Sequence, residues 1–114
     1  MTLIRLKRTE DSLAELGRAA EFDPNSARYA YVYAVGLNSA GHADDAIAIL
    51  KANVDKHPAD RDSLLALVTF NRDSGNIVGA VDYAERLAQI APGDRRISEL
   101  LQTLKRQLES TPRQ

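Results

Sequence analysis

Residues 57–94 read HPADRDSLLALVTFNRDSGNIVGAVDYAERLAQIAPGD, and this stretch decides the fold. Pro58 and Pro92 bound it, and each is followed two residues later by an aspartate that can cap a helix. Gly75 stands midway between them, in a sequence whose apolar residues recur at helical intervals. Because proline ends one helix, a polar cap opens the next and glycine accepts the positive φ of a turn, the stretch predicts two helices joined by a short turn.

The same signals recur outward along the chain with a period of 34 residues. Pro24 precedes Pro58 by 34 residues, and Gly41 precedes Gly75 by the same interval. The apolar positions of the first period match those of the second at all but one offset, the pairs being Ala30 and Leu64, Tyr33 and Leu67, Ala34 and Val68, Leu37 and Asn71, Ala46 and Ala80, Ile47 and Val81, and Leu50 and Ala84. Self-similarity at a fixed period of this length is the signature of a helical repeat protein.

The period divides the whole chain. We expect a single helical domain over 1–109, with full repeats at 27–60 and 61–94, a partial repeat at 1–26, a capping helix at 95–109 and a frayed tail at 110–114. In the partial repeat, a helix from about residue 9 to Phe22 follows the tail of a missing first helix. Five or six helices are therefore predicted.

One segment conflicts with this frame. Tyr29-Ala-Tyr-Val-Tyr-Ala-Val35 alternates like a strand and is rich in strand-forming residues. The repeat places it in the first helix of a unit, between the cap candidate Ser26 and the turn at Gly41. We therefore predict a helix.

Composition argues against several kinds of function. The formal charge of the 114 residues is −1, without the basic excess that nucleic acids or anionic membranes attract. The chain has no cysteine, and its two histidines, His42 and His57, form no metal-binding spacing. No catalytic or phosphate-binding motif is present, and the start lacks the apolar core of a secretory signal. We expect no enzymatic activity, cofactor, metal, nucleic acid or membrane partner; the cytoplasm is favoured, although the compartment stays open.

These residues resemble the tetratricopeptide repeat family. Ala34 matches the small site of its first helix, Ala46 and Ala80 the small site of its second helix, and Pro58 and Pro92 the closing proline. The sequence departs from the family where Ala30 and Leu64 replace a large aromatic residue and Asn53 replaces a small one, which suggests looser packing.

The resemblance implies a right-handed superhelical solenoid of antiparallel helix pairs that binds a peptide or helix of a partner protein on its concave face. The offsets that the family uses for this face hold Arg28, Tyr31, Val35, Asn38, Leu65, Thr69, Arg72 and Arg96. Only Arg96 fits the pattern with which some members clamp the tails of chaperones, so that partner is rejected.

The alternative is a structural or oligomerisation segment, such as the C-terminal piece of a longer multidomain protein. Apolar residues at the N-terminal edge would then be covered by a second copy, giving a homodimer, or by a preceding domain; the candidates are Leu3, Leu6, Leu13 and Leu16. A third outcome is that residues 1–6 fold back as a short helical turn and cover the edge themselves.

Overall fold

The computed structural model describes residues 3–23 and 25–110, with side chains described from Ser12 onward. These residues form six helices and no strand: α1 (Leu3–Phe22), α2 (Ala27–Ser39), α3 (Ala43–Lys56), α4 (Arg61–Asp73), α5 (Ile77–Ile90) and α6 (Arg95–Ser110). The all-helical prediction is confirmed, and the breaks predicted near Pro58 and Pro92 lie between consecutive helices. Pro24, residues 1–2 and most of the predicted frayed tail lie outside the described residues.

Side-chain caps begin some of the helices. Ser26 caps α2, because its hydroxyl accepts the backbone N–H of Tyr29 at 3.2 Å. Asp94 accepts the N–H of Arg96 at 3.0 Å in the same way at the start of α6. Asp60 departs from this prediction: it precedes α4, but its carboxylate accepts the hydroxyl of Ser63 and no backbone N–H.

The two turn glycines are the only described residues with positive φ. Gly41 and Gly75 have φ of 91° and 89°, so both repeats end their first helix in the same left-handed conformation. The strand-like segment between Tyr29 and Val35 lies inside α2, as the repeat frame predicted. Local preference for a strand yields here to the cap and the turn on either side.

The N-terminal helix corrects the prediction of a partial repeat. Instead of a remnant helix followed by a break near residue 8, α1 is continuous from Leu3 to Phe22. Lys7 stands where the full repeats have Gly41 and Gly75, and neither glycine nor proline occurs before Gly17. Strong helix formers stand in place of a turn residue, so the helix does not stop there. Residues 3–6 belong to α1 and do not fold back as a separate short turn.

The helices form two compact units, Met1–Pro58 and Ala59–Gln114, called here the N-terminal and the C-terminal unit. In the N-terminal unit α2 packs against both α1 and α3, and in the C-terminal unit α5 packs against both α4 and α6. Packing of α2 on α3 and of α4 on α5 is consistent with the predicted helix pairs. One buried cluster in the core of the C-terminal unit comprises Val68, Ile77, Ala80, Val81, Ala84 and Leu104.

The small sites of the repeat are buried in both units. Ala46 on α3 and Ala80 on α5 are fully buried, as is Ala34 on α2. No helix in the described part of the chain combines the length and apolarity needed to span a bilayer.

Candidate functional site

An open groove of about 410 Å³ lies among the three helices of the C-terminal unit. We call it the C-terminal groove; its lining residues are Arg61, Asp62, Leu65, Leu87, Asp94, Arg96, Ile97 and Leu100. They come from the first half of α4, the end of α5 and the first half of α6. Consecutive elements thus each supply part of one surface.

Helical spacing places the lining residues of α4 and of α6 on one side of each helix. Leu65 follows Asp62 by one turn on α4, and Leu100 follows Ile97 by one turn on α6. Leu87 and Ile97 are 2 % and 7 % exposed and form the base, whereas Leu65 is 46 % exposed. The groove therefore offers an apolar surface that solvent reaches, which is the usual character of a binding site.

Asp94 holds two arginines at the edge of the groove. Its Oδ2 lies 3.1 Å from Nη2 of Arg61, and its Oδ1 lies 3.8 Å from Nε of Arg96. The Arg96 side chain is nevertheless 92 % exposed. Because exposed ion pairs contribute only about 0–1 kcal/mol, the Arg96 guanidinium can turn toward an acceptor on a bound chain at little cost.

The structure brings together two of the four site residues predicted in this unit. Leu65 and Arg96 line the C-terminal groove. Thr69 instead donates its hydroxyl to the carbonyl of Leu65 at 3.1 Å, and Arg72 pairs with its neighbour Asp73 at 3.7 Å. These two residues do not line the groove.

Several lining residues were not among the predicted site residues. Asp94 was interpreted only as a helix cap and Arg61 was not singled out, although opposite charges 33 residues apart, one less than the period, could have indicated a pair between successive first helices. No sequence pattern indicated Leu87, because it lies at the base of a groove whose depth cannot be deduced from residue spacing.

The site residues predicted in the N-terminal unit share one side of α2. Arg28 and Val35 are exposed, whereas Tyr31 and Asn38 are half-buried. Their spacing of three and four residues keeps them on one helical face. They line neither the C-terminal groove nor the cavity described next.

A second cavity, of about 420 Å³, lies among the three helices of the N-terminal unit. We call it the N-terminal cavity; its lining residues are Gly17, Ala20, Glu21, Ala30, Tyr33, Ile49, Ala52, Asn53 and Lys56. Ala30 stands where the second repeat has Leu64, which is fully buried. The small side chain at this offset leaves space, in keeping with the looser packing predicted there.

Two polar side chains tie the end of α3 to the start of α2. Asn53 is 4 % exposed and donates Nδ2 to the carbonyl of Ala27 at 3.1 Å. His57 lies 2.8 Å, through Nε2, from the carbonyl of Asn25. His57 is half-buried and holds a loop, whereas His42 is exposed.

The predicted oligomer edge lies partly inside the N-terminal unit. Leu13 and Leu16 are half-buried, and a Cβ placed on Gly36 would lie 3.1 Å from a methyl of each. Both leucines therefore face α2. Leu3 and Leu6 fall outside the residues whose side chains are described.

The acidic and histidine side chains of the described residues form no metal-binding group. No group of three or more His, Asp or Glu residues among them could hold a metal ion. Asp44 and Asp45 are exposed in the first turn of α3, where negative charge is favoured by the helix dipole.

Comparison of the sequence with models of known protein families and with curated proteins gives no match in either case.

Proposed function

We propose that this protein is a non-enzymatic interaction module of the tetratricopeptide type, and that it binds a segment of a partner protein in the C-terminal groove. The observation that carries this proposal is the groove itself, in which exposed Leu65 and Arg96 meet over the buried Leu87. Two of these three residues occupy offsets that a tetratricopeptide repeat uses for its concave face. The proposal includes the right-handed stacking of helix pairs that the resemblance implies.

The chemistry of the groove suits a short peptide with an apolar anchor. Leu65, Ile97 and Leu100 would contact an aliphatic or aromatic side chain, whose burial is favourable by about 25 cal/mol per Å². Arg96 would donate to a carbonyl or carboxylate of the same peptide. Arginine is among the residues enriched where single side chains dominate binding.

A peptide library tests this proposal without knowledge of the natural partner. Peptides displayed on phage are selected on the wild-type protein, and the affinity of the best sequence is measured by fluorescence anisotropy. Truncation of a residue that dominates an interface costs about 2 kcal/mol or more, which is about thirtyfold in Kd. We expect Leu65→Ser to weaken binding on this scale and Arg96→Ala to weaken it less.

Val78→Ser is the matched control. Val78 is 65 % exposed on α5 and does not line the groove, so its replacement removes an exposed apolar side chain elsewhere in the same unit. Its affinity should equal that of the wild type. Equal binding by wild type and Leu65→Ser, with helical circular dichroism retained, would contradict the proposal. Tyr31→Ala and Arg72→Ala then measure whether the surface extends to the remaining predicted residues.

A further inference from the structure

Phe22, the last residue of α1, is the most exposed large apolar residue described. Its exposed fraction is 90 %, against 65 % for Val78 and less for every other large hydrophobic residue of the described chain. A single exposed apolar residue is common on a protein surface. Phe22 is unusual because a cavity able to accept its ring opens beside it in the same unit.

The N-terminal cavity is large enough for a phenyl ring. Its walls include the small residues Gly17, Ala20, Ala30 and Ala52, with the ring of Tyr33 beside them. An enclosed apolar cavity of about 150 Å³ accepts benzene, and this recess, which is open to solvent, measures about 420 Å³. Tyr33 adds an aromatic surface against which a second ring can stack or pack edge-on.

Phe22 does not occupy the cavity of its own chain. Its neighbour Glu21 lines that cavity, and consecutive residues of a helix point about 100° apart. The Phe22 ring accordingly lies in solvent next to the opening. A projecting ring and a recess side by side are the arrangement that a two-fold axis can pair, since each copy then presents both to the other.

The charges beside the cavity are also self-complementary. Glu21 on α1 and Lys56 on α3 both line it, and they carry opposite charges. When two copies approach across a two-fold axis, the acidic side of one opening can face the basic side of the other. Two copies therefore need not bring like charges together.

We infer that the protein forms a two-fold homodimer in which Phe22 of each chain occupies the N-terminal cavity of the other. This interface uses no residue of the C-terminal groove, so its test is independent of the test of the proposed function. A buried aromatic side chain covers about 150–250 Å², and two exchanged rings make an interface smaller than the standard size. We therefore expect a dimer with Kd in the micromolar range.

Sedimentation equilibrium of the full chain, from about 5 to 500 μM, tests the inference. The wild type should convert from monomer to dimer over this range, and Phe22→Ser should raise Kd at least tenfold, as loss of a central aromatic does. Ile90→Ser is the matched control: Ile90 lies two periods after Phe22, at the same offset, and is 37 % exposed. It should dimerise like the wild type.

A larger side chain inside the N-terminal cavity tests whether dimerisation requires insertion of the Phe22 ring or only exposed apolar surface. Ala30→Phe places a ring in the recess, and Ala30→Leu copies Leu64 of the second repeat. At least one of them should fold with an unfolding midpoint no lower than that of the wild type, yet remain monomeric while Phe22 stays in place. Three results would each overturn the inference. The wild type could remain monomeric at every concentration, Phe22→Ser could dimerise with unchanged Kd, or a folded Ala30 variant could dimerise like the wild type.

Discussion

At the scale of single residues, Asn71 shows why one position breaks an otherwise apolar match between repeats. Its side chain is 3 % exposed, donates Nδ2 to the carbonyl of Leu67 at 2.7 Å, and accepts Nδ2 of Asn76 at 3.2 Å. Asn76 in turn caps α5 through the N–H of Gly79 at 3.0 Å. The first repeat has Leu37 and His42 at these offsets, so two residues have changed together. Comparison of the repeats could indicate the pair, but not the hydrogen bonds.

A double-mutant cycle measures this contact. Asn71→Ala and Asn76→Ala should each destabilise the protein by about 1–2 kcal/mol, through loss of buried hydrogen bonds and of a helix cap respectively. Because the side chains touch, the double variant should differ from the sum by about 0.5 kcal/mol or more. Urea unfolding followed by circular dichroism gives the free energies; simple additivity would mean that the amides act independently.

Two helical glycines should respond differently to alanine. A Cβ on Gly17 would lie 3.5 Å from the Tyr33 ring, an ordinary contact, whereas one on Gly36 would lie 3.1 Å from methyls of Leu13 and Leu16. Alanine is favoured over glycine in a helix by about 1 kcal/mol. Gly17→Ala should therefore stabilise the protein by about 0.5–1 kcal/mol in urea unfolding, and Gly36→Ala should gain less or lose stability. Gly41→Ala, at a φ of 91°, should destabilise.

At the scale of elements, the sequence predicted the helices best where two punctuating residues agree. The ends of α4 and α5 follow from Pro58, Gly75 and Pro92, and the frame also recovered α2 against its strand-like composition. The frame failed at α1, where the period was extended to a place without its turn glycine. The repeat predicts a break only where the residue that makes the break is itself present.

The small alanines test the packing of helix pairs. Ala46→Leu and Ala80→Leu each insert a larger side chain at a fully buried site on α3 or α5. Overpacking typically costs about 1–3 kcal/mol, so the urea midpoint should fall in both variants. Ala48→Leu is the control, because Ala48 is exposed on the same helix as Ala46 and its replacement should change little. An unchanged midpoint for Ala46→Leu would contradict close packing at this site.

At the scale of the whole molecule, the sequence predicted two of the residues that line the C-terminal groove but not the groove itself. Leu65 and Arg96 follow from the repeat offsets, because a residue type at a fixed helical position keeps its direction. The N-terminal cavity could be anticipated only as looser packing at Ala30. The volume of this cavity depends on small residues from three helices, and the exposure of Phe22 depends on where α1 ends. Neither quantity has a local sequence pattern.

Protection from hydrogen exchange should vary along the chain with burial. Most buried side chains of the C-terminal unit belong to α4 and α5, whereas none of the described α1 side chains is buried. Local opening costs least where few side chains are buried. Mass spectrometry of peptic fragments at neutral pH should find α1 exchanging fastest among the helices and α4 and α5 slowest. Equal protection of α1 and α4 would contradict this order.

Asn53 and Leu87 stand at the same position of successive repeats but differ in polarity, and this difference affects how the helices assemble. In a protein made of similar helix pairs, a helix can dock in the place of its counterpart and trap the chain in a misfolded state. If α5 replaced α3 beside α2, Leu87 would stand at the offset of Asn53, and the carbonyl of Ala27 would lose the hydrogen bond from the Asn53 amide. In the reverse exchange Asn53 would stand at the offset of Leu87 and bury an amide without its partner, at a cost of about 1–3 kcal/mol. The hydrogen bond of Asn53 therefore favours docking of α3, and not of α5, beside α2.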